Sequence, residues 1–439
     1  MSNNLVRLFC SVVFISVMSS AWAENRIDTQ RPDAPELAAY GEHNIGVRTL
    51  ELVNPQQINI LALDPTKPQP AELPRYDRPL TVEVWYPAVK GSHGNTTLEA
   101  YILGGKTQVQ LLGKAVRDAK PETSDTPFPL VLISHGYPGN RFLLANLAEN
   151  IASKGYVVVS IDHTDSTYRT QAAFASTLVN RPADQLFVLE QIDKLSDNND
   201  SFLYQLVDAK NSGLIGYSMG GYGAVINAGA GLTEQAVNSK LGAPFGTLAR
   251  HQADKKIPVD SRLKTVIAFA PWGMTYGLWD AASLKNVSLP MLLVAGSQDD
   301  VSGYEKGVRT IWQGLVSTDR SLLTYENANH HAGAVMPAPQ EAYKFDKTLG
   351  VNLSEHYIDA VWDNVRMNNI AQHFVTAWLN KYLKHNTEMD QYLQLAPNSN
   401  DGVWALDKAG DPTPQHSYWH GFAKDKAKGL RFESLKKGE

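Results

Sequence analysis

Short, uninterrupted apolar runs recur through the middle of the chain, and most are followed by a turn or by a stretch with helical spacing. Continuous runs of this kind are typical of strands that are buried on both faces of a parallel sheet. They predict strands near residues 128–133, 156–161, 214–215, 263–270, 290–295 and 322–325. Apolar residues spaced three and four apart predict helices near residues 142–154, 220–230 and 368–383. The alternation predicts an α/β fold with a mostly parallel central sheet flanked by helices.

The pattern before the first of these runs is different. Residues 45–53 and 80–86 alternate apolar and polar positions, which is typical of half-buried antiparallel strands. The two segments therefore predict an antiparallel start to the sheet. A short helix is expected between them and the first buried strand, near residues 108–119.

These patterns divide the chain into a catalytic unit and its flanking segments. The unit is expected to span residues 45–383, preceded by a flexible lead-in over residues 24–44. Less regular stretches inside it are expected to be lid-like insertions, at about 164–211, 231–260 and 332–367. The tail, residues 384–439, contains Trp404, Trp419 and Phe422, so it is expected to dock on the unit rather than to extend from it.

The N-terminus has the features of an export signal. Arg7 is the only charged residue before Glu24, residues 8–18 are apolar, and Ala21 and Ala23 form an A-x-A cleavage site. Residues 1–23 are therefore predicted to be a signal peptide. The mature protein is predicted to be exported, with no membrane span, to a bacterial periplasm or to the medium.

Composition narrows the chemistry. The chain has 439 residues, of which 19% are charged, and its net charge is −5. The sequence contains no basic patch that would indicate a nucleic-acid partner. The only cysteine, Cys10, lies in the predicted signal peptide, so the mature chain is expected to have neither a disulfide nor a reactive thiol.

A G-x-S-x-G motif follows the predicted strand at residues 214–215. Its members are Gly216, Ser218 and Gly220, and a helix is predicted directly after it. A serine on a sharp turn between strand and helix is exposed for nucleophilic attack, and the flanking glycines avoid crowding in that turn. Chance is the alternative, since the chain has 32 glycines. The strand and helix context favours a nucleophile.

A serine nucleophile needs a base and an acid that orients the base. In this type of fold they follow the serine in the order acid, then histidine. Asp299 follows a predicted buried strand, and His330 follows the last one, which predicts Ser218, Asp299 and His330 as the catalytic residues. Asp300 and His331 remain alternatives. Adjacent histidines rarely bind one metal together, so neither a metal nor another cofactor is predicted.

The oxyanion of an acyl-transfer intermediate needs two N–H donors. Met219, after the serine, and Tyr137, in the loop after the strand at 128–133, are predicted to supply them. His135 in that loop is expected to be structural. Trp272 and Tyr137 are the predicted substrate contacts; Tyr217 and Trp279 are weaker candidates that could equally belong to the core.

Four motifs resemble a known superfamily. They are HGYPG at 135–139, GYSMGG at 216–221, APW at 270–272 and GSQD at 296–299. Residues 45–383 resemble the α/β-hydrolases, and within them the group of platelet-activating factor acetylhydrolases, predicted dienelactone hydrolases and cutinase-type polyester hydrolases. The resemblance implies that Tyr137 and Met219 match the oxyanion pair of the polyester hydrolases and Trp272 their aromatic clamp. It also implies that Asp299 and His330 match the acid and the base.

The chain departs from each of these relatives. Dienelactone hydrolases have a cysteine at the position of Ser218, and the plasma acetylhydrolase carries its acid where this chain has Pro271. The polyester hydrolases are usually smaller and contain a disulfide, whereas this chain has additional segments that are expected to narrow the cleft. The prediction is thus an exported serine carboxylic-ester hydrolase that acts through an acyl-enzyme on small or medium esters. Alternatives are a lipid or polyester hydrolase, an amidase or peptidase, and a non-catalytic binding protein.

Overall fold

The computed structural model describes residues 24–239, 241, 243–253 and 258–439. The predicted signal peptide, residues 1–23, lies outside the described residues, as do residues 240, 242 and 254–257 of the predicted insertion at 231–260. Within the described ranges, no helix is both long enough and apolar enough to cross a membrane.

Fifteen strands are found in the described residues. In chain order they are β1 (Asn25–Arg26), β2 (Asn44–Ile58), β3 (Arg75–Ala88), β4 (Thr97–Tyr101), β5 (Gln108–Leu112), β6 (Val116–Arg117), β7 (Phe128–Ser134), β8 (Val157–Ile161), β9 (Val207–Tyr217), β10 (Leu263–Phe269), β11 (Met291–Gly296), β12 (Arg320–Tyr325), β13 (Phe345–Asp346), β14 (Val351–Asn352) and β15 (Leu430–Leu435). Eight α-helices accompany them. They are α1 (Ala145–Ala152), α2 (Phe174–Ser196), α3 (Met219–Asn227), α4 (Glu234–Val237), α5 (Ala281–Leu284), α6 (Thr310–Gly314), α7 (Asn364–Leu383) and α8 (Asp390–Leu393).

Ten strands form one sheet in the order β15-β12-β11-β10-β9-β7-β8-β3-β2-β6. The six strands from β12 to β8 are all parallel to one another, and β3 and β2 continue the sheet with antiparallel pairings. One hydrophobic core, which includes residues of α1 and α7, covers one face; α2 and α3 contribute to the core on the other. The mostly parallel sheet with flanking helices that the sequence predicts is therefore confirmed. Because parallel strands end at the same edge, residues that follow β7, β9, β11 and β12 come together there.

The segment at residues 24–44 is not the flexible lead-in expected from its irregular sequence. Ile27 and Ala38 are buried, and β1 pairs with β5 in a small sheet of three strands. The backbone N–H of Leu37 donates to Nδ1 of His373 at 3.1 Å. Isolated contacts of this kind hold the segment in place but produce no periodic pattern in the sequence. They therefore cannot be predicted from the sequence.

The prediction of a helix near residues 108–119 is also wrong. Gln108 to Leu112 form β5, where alternate side chains are exposed and buried. Val116 and Arg117 form β6 at the edge of the large sheet. The alternation of Gln and Val with Leu has the two-residue period of a strand, and pairing with β4 and β1 decides the outcome.

Two segments expected as insertions or appendages are regular parts of the fold. Residues 164–211 contain α2, which is the crossover helix between the parallel strands β8 and β9, so they are not a lid-like insertion. The tail reaches the sheet itself, because β15 pairs with β12 in antiparallel register. Trp419 and Phe422 of the tail are buried in the core next to α7.

The other two predicted insertions pack on the body of the protein. In the described part of residues 231–260, Nε2 of His251 donates to the carbonyl oxygen of Val179 in α2, at 2.8 Å. Residues 332–367 contain the β13–β14 hairpin, and Met336 in this stretch donates its backbone N–H to the carbonyl oxygen of Leu143.

Candidate active site

Ser218 occupies a strained turn between β9 and α3. Its φ of 52° and ψ of −111° lie outside the regions that side chains other than glycine usually adopt. Its backbone is held on both sides by the end of β10: the Ser218 N–H donates to the carbonyl oxygen of Phe269 at 2.8 Å, and Trp272 N–H donates to the Ser218 carbonyl oxygen at 3.1 Å. These two bonds keep the hydroxyl at the carboxyl edge of the sheet.

The glycines of the motif are required by the close approach of backbone segments. A Cβ atom on Gly216 would collide with the carbonyl group of Gly220, and a Cβ atom on Gly220 would collide with the carbonyl oxygen of Ser134 at the end of β7. Backbone atoms cannot rotate away as a side chain can. The elbow therefore depends on glycine at both positions.

Ser218, His330 and Asp299 are linked by hydrogen bonds. Ser218 Oγ lies 2.9 Å from His330 Nε2, and His330 Nδ1 lies 3.0 Å from each carboxylate oxygen of Asp299. Asp299 Oδ1 also accepts the backbone N–H groups of Val301 and Ser302, both at 2.9 Å. The carboxylate can only accept, so Nδ1 of His330 carries a proton and Nε2 is free to accept one from the serine hydroxyl. All three side chains are at least nine-tenths buried.

The structure separates the two alternatives that the sequence left open. Asp300 is exposed, whereas the neighbouring Asp299 turns inward to His330. His331 does not contact the serine; its Nδ1 lies 2.8 Å from the hydroxyl of Tyr217. Burial, followed by the charges of His356 and His330, holds the pKa of His331 well below its usual range. His331 thus belongs to the packing behind His330.

Two backbone N–H groups are candidates for holding an oxyanion. Met219 is the first residue of α3, where the backbone N–H groups have no partner within the helix and form the positive end of the helix dipole. Tyr137 lies in the loop that follows β7, and a Cβ on the preceding Gly136 would come within 3.4 Å of the Ser218 Cβ. Both predicted donors are therefore in segments that adjoin Ser218.

The peptide group between Gly136 and Tyr137 is held through its carbonyl oxygen. The Gly136 oxygen accepts His135 Nδ1–H at 2.7 Å and an Arg181 Nη2–H at 3.4 Å. Arg181 also donates from Nη1 to the carbonyl oxygen of His135, and from Nη2 to Ser166 Oγ at 2.7 Å. In a trans peptide the N–H points away from the C=O, so these bonds also fix the direction of the Tyr137 N–H.

His135 itself lies in the interior. Its side chain is fully buried, and its Nε2 accepts the backbone N–H of His163 at 3.2 Å. Burial, followed by the positive charge of Arg181, holds the pKa of His135 well below its usual range. A neutral imidazole with its proton on Nδ1 fits both hydrogen bonds, and this agrees with the structural role expected for it.

Helix α2 carries side chains that bond to the loop after β7 and to the turn that contains Ser218. Burial lowers the pKa of Arg181 to about 9, so its guanidinium is still protonated at neutral pH. One turn further on, burial alone would raise the pKa of Asp184, but the charge of Arg78 and bonds from His163 and Arg78 outweigh it and lower the pKa to about 2. The next residue, Gln185, donates from Nε2 to the carbonyl oxygen of Gly220 at 3.0 Å.

Aromatic rings form a row beside the elbow. The ring of Phe174 makes edge contacts with those of Tyr137 and Trp272, each at 5.2 Å between centroids, and Trp272 lies 4.5 Å from the exposed Tyr276. Trp272 and Tyr137, the predicted substrate contacts, therefore belong to one surface.

The two weaker candidates are core residues. Trp279 is 2% exposed, and its Nε1 donates to the carbonyl oxygen of Ala230. The ring of Tyr217 packs against His330, with 5.3 Å between centroids, and its hydroxyl is engaged by His331. Neither side chain is placed to contact a substrate.

Sequence reasoning missed Arg181, Gln185 and Phe174. All three lie in α2, whose sequence reads as a polar crossover with no motif. From the sequence alone, a polar helix residue that faces solvent cannot be distinguished from one that faces a buried carbonyl group. The run Arg181, Pro182, Asp184 and Gln185 is buried as a group, and only the position of α2 on the sheet shows it.

The chain is similar in sequence to several known hydrolases. The family model described as PET hydrolase-like matches residues 119–242, which include β7, α2 and the elbow. Cutinase est1 of Thermobifida alba is 22% identical over 281 residues, covering 64% of this chain and 68% of that protein. A bis(hydroxyethyl) terephthalate hydrolase of Streptomyces coelicolor is 26% identical over 210 residues, 47% of this chain and 52% of that protein.

A solved structure shows the same fold. The ferulic acid esterase of Streptomyces cinnamoneus aligns over 83% of this chain and 94% of its own, with a TM-score of 0.54 and 20% sequence identity. The sheet order, the elbow and these relatives agree with one another. The chain therefore has the α/β-hydrolase fold and is an enzyme related to the PET hydrolase-like and cutinase group of carboxylic ester hydrolases.

Proposed function

We propose that this protein is an exported serine hydrolase that cleaves carboxylic esters through an acyl-enzyme. The observation that supports this most directly is the continuous chain of hydrogen bonds from Ser218 Oγ through His330 to Asp299. A buried serine hydroxyl bonded to a neutral, oriented imidazole is the arrangement that activates an alcohol nucleophile at neutral pH.

In the first half of the reaction, Ser218 Oγ attacks the ester carbonyl carbon while its proton passes to His330 Nε2. The positive imidazolium is stabilised by the Asp299 carboxylate at 3.0 Å. The carbonyl oxygen becomes negative and is held by the N–H groups of Met219 and Tyr137. His330 then donates the proton from Nε2 to the alkoxy oxygen, the C–O bond breaks, and the alcohol leaves.

In the second half, a water molecule occupies the place of the alcohol. His330 Nε2 removes a proton from it, and the resulting hydroxide attacks the acyl carbon of the Ser218 ester. The same two N–H groups hold the second oxyanion. Return of the proton to Ser218 Oγ releases the carboxylic acid and restores the starting enzyme.

The row of Tyr137, Phe174 and Trp272 supports an apolar or aromatic acyl group next to Ser218. Small and medium esters are the substrates proposed first. A polyester substrate is the second candidate, and the named activities of the relatives favour it: several are cutinases, and one hydrolyses bis(hydroxyethyl) terephthalate. Export is proposed from the sequence of residues 1–23, and N-terminal sequencing of exported protein should find Glu24 first.

Hydrolysis of a p-nitrophenyl ester series from acetate to laurate tests this function. Ser218→Ala should lose nearly all activity while keeping the wild-type unfolding midpoint, because it removes one buried oxygen and no backbone bond. Ser124→Ala, on an exposed loop, is the matched control and should behave like the wild type. Full activity in Ser218→Ala would refute the assignment.

The ester series, together with polymer-film hydrolysis and fluorophosphonate labelling, separates the remaining candidate functions. A peak at short chains supports small esters, whereas a peak at long chains together with release of terephthalate from polymer film supports a polyester hydrolase. Labelling of Ser218 by a fluorophosphonate with hydrolysis of anilides but not of esters would indicate an amidase. Absence of labelling would indicate a binding protein.

A further inference from the structure

A cavity of about 820 Å³ lies beside the candidate active site, and its lining does not include Ser218, Asp299 or His330. Its walls come from the segments that follow β7 and β8, from the outer strands β2 and β3, and from the small sheet of β4 and β5. Its volume is within the range of binding sites for small molecules.

This cavity and the candidate active site share a wall. Asn140 and Arg141 line the cavity and continue the loop that contains Tyr137. The segment after β8 is bonded directly to this loop: the Gly139 N–H donates to the carbonyl oxygen of Ser166 at 3.1 Å, and the Tyr168 N–H donates to the carbonyl oxygen of Gly139 at 3.0 Å. Strand β8 is the second neighbour of β9, so at a strand spacing of about 4.8 Å its end lies roughly 10 Å from Ser218.

Sixteen of the eighteen lining residues have a polar group in the side chain. It comprises Thr49, Pro79, Thr81, Asn95, Thr97, Glu99, Tyr101, Gln108, Arg117, Asn140, Arg141, Phe142, Asp162, Thr164, Thr167, Tyr168, Arg169 and Thr170. Six threonines and three side-chain amides provide both donors and acceptors of hydrogen bonds. Several of these groups already donate within the protein: Thr49 Oγ1 donates to Glu83, and Thr81 Oγ1 donates to Glu51. Each such hydroxyl oxygen keeps lone pairs that can accept from a ligand hydroxyl and that an acyl chain cannot use.

The charges at this cavity cancel. Two arginines of the lining, Arg117 and Arg141, both bond to the buried carboxylate of Glu83, and Arg141 also bonds to Asp162. Arg169 and Glu99 add one further charge of each sign. A ligand with a net charge therefore gains no long-range attraction here. The chemistry suits a neutral ligand with many hydroxyl groups.

Two of the three aromatic rings in the lining carry a guanidinium over one face. The guanidinium of Arg169 lies 4.4 Å from the ring centroid of Tyr101, and that of Arg141 lies 4.4 Å from the ring centroid of Phe142. An aromatic substrate group would compete with these guanidinium groups, and the third ring, that of Tyr168, is buried in edge contact with His356, with 5.5 Å between centroids. By contrast, the row of Tyr137, Phe174 and Trp272 packs towards the core on the other face of the sheet. Apolar and polar recognition are thus separated on the two sides of the loop at Tyr137.

We propose that this cavity binds the hydroxyl-rich alcohol part of the ester substrate, a sugar or a comparable polyol, while the acyl group lies on the aromatic row. This rests on the proposed function, because it assigns the leaving-group side of the same reaction. It makes the enzyme an esterase for acylated carbohydrates in which the sugar is held by hydrogen bonds alone.

The proposal is tested by filling the cavity without touching the reacting groups. Thr97→Trp places a large ring among the lining residues, and Thr66→Trp, on an exposed loop, is the matched control. The substrates are 6-O-acetylglucose, ethyl acetate and p-nitrophenyl acetate. In the wild type, kcat/KM should be at least about tenfold higher for the sugar acetate than for ethyl acetate, as expected from one or two additional hydrogen bonds. Thr97→Trp should abolish that preference and leave the p-nitrophenyl acetate rate unchanged, and Thr66→Trp should keep both.

A direct binding measurement separates failure of this proposal from failure of the proposed function. Xylobiose and cellobiose are titrated into the Ser218→Ala protein by calorimetry, with sodium hexanoate as an apolar anion. Binding of a disaccharide that is lost in Thr97→Trp supports the site even if no ester is cleaved. The proposed sugar site would be overturned if no disaccharide bound or if hexanoate bound more strongly than the disaccharides. It would also be overturned if Thr97→Trp lowered the activities on 6-O-acetylglucose and on p-nitrophenyl acetate equally.

Discussion

The guanidinium of Arg181 donates to the carbonyl oxygen of Gly136, 3.4 Å away, from a fully buried position in α2. That carbonyl and the N–H of Tyr137 belong to the same planar peptide group, so the orientation of one determines that of the other. Arg181 also bonds to the carbonyl oxygen of His135. The donor proposed for the oxyanion is therefore positioned by a side chain that does not reach the substrate.

Arg181→Lys tests this relationship. A lysine ammonium cannot bond to both carbonyls in the planar geometry of a guanidinium, so the Tyr137 N–H should lose its fixed direction. Losing one oxyanion donor outright costs about 10²–10³ in kcat, so we expect a fall of roughly 10- to 100-fold with KM nearly unchanged. The measurement is kcat and KM on p-nitrophenyl butyrate.

Arg78→Lys is the control for this variant. Arg78 is equally buried but bonds to Asp184 and Asp165 rather than to the loop. It should lower the unfolding midpoint while the folded enzyme keeps kcat within about threefold, a change of less than 1 kcal/mol in the barrier. If both variants lower kcat equally, or if Arg181→Lys changes only KM, Arg181 is structural and does not position the peptide.

Asp299→Asn and Asp300→Asn form a second matched pair. Asp299 Oδ1 accepts two backbone N–H groups, so an asparagine there would keep its oxygen on them and turn its NH₂ towards His330 Nδ1. Nδ1 would then have to accept, the proton would move to Nε2, and the base would be lost. A fall of about 10⁴ in kcat is expected from this change of tautomer. The exposed Asp300→Asn should retain full activity; a larger loss in Asp300→Asn than in Asp299→Asn would exchange the two roles.

The contrast between Asp299 and Arg181 shows what the sequence can and cannot predict. The order of serine, acid and histidine follows from strand ends that are visible as apolar runs, and G-x-S-x-G marks the turn. The choice between adjacent acids depends on which carboxylate receives the N–H groups of Val301 and Ser302, which is a matter of loop conformation. Arg181 looks like a surface residue until α2 is placed on the sheet.

The flanking segments were predicted less well for a related reason. The small sheet joins β1, β4 and β5, which are separated by up to 86 residues between Asn25 and Leu111. Pairing over such distances is decided by tertiary contacts, and local propensity between residues 108 and 119 favoured a helix instead. The aromatic residues of the tail predict that it docks, but its strand β15 has no local signal that distinguishes it from a loop.

Gly220→Ala should prevent stable folding. Its Cβ would collide with the carbonyl oxygen of Ser134, which belongs to β7 in the centre of the sheet and cannot move alone. We expect destabilisation of more than about 4 kcal/mol, beyond the range of ordinary substitutions. Urea unfolding followed by tryptophan fluorescence, together with the soluble yield, measures this loss of stability.

Gly213→Ala in β9 is the control for this variant. Its Cβ would meet side-chain carbons of Leu379 and Leu383 at 3.3 Å, and these side chains can adjust. Equal stability of the two alanine variants would contradict the explanation of the motif.

Phe432→Ala tests whether the tail contributes to the stability of the sheet. Phe432 in β15 is buried, and its ring stacks on that of Phe374 in α7 with 5.0 Å between centroids and an interplanar angle of 14°. Removing a buried phenylalanine costs about 3–5 kcal/mol. The urea midpoint of Phe432→Ala should fall accordingly, while the half-exposed Val403→Ala in the same tail should leave it unchanged. A Phe432→Ala midpoint equal to that of the wild type would mean that β15 is dispensable.

Buried histidines should make the protein sensitive to mild acid. Burial is the main cause that lowers the pKa of four of them, to about 3 for His163 and His373 and about 4 for His251 and His356. Each is near 6.5 when unfolded, so the unfolded chain binds more protons below that pH. Their contribution is therefore present above pH 6.5 and is lost as the pH falls towards 4, at about 1.4 kcal/mol per pH unit for each histidine.

His373→Asn isolates one of these contributions. Nδ1 of His373 accepts the N–H of Leu37 at 3.1 Å, which protonation would break and which the asparagine oxygen can replace. The variant should be less stable than the wild type at pH 7.5 because it fills less space. Its free energy of unfolding should, however, decline less steeply between pH 6.5 and pH 5, by about 1.4 kcal/mol per pH unit, as measured by urea titrations at each pH. The exposed His93→Asn should keep the wild-type slope, and an unchanged slope in His373→Asn would show that this histidine is not the acid-sensitive group.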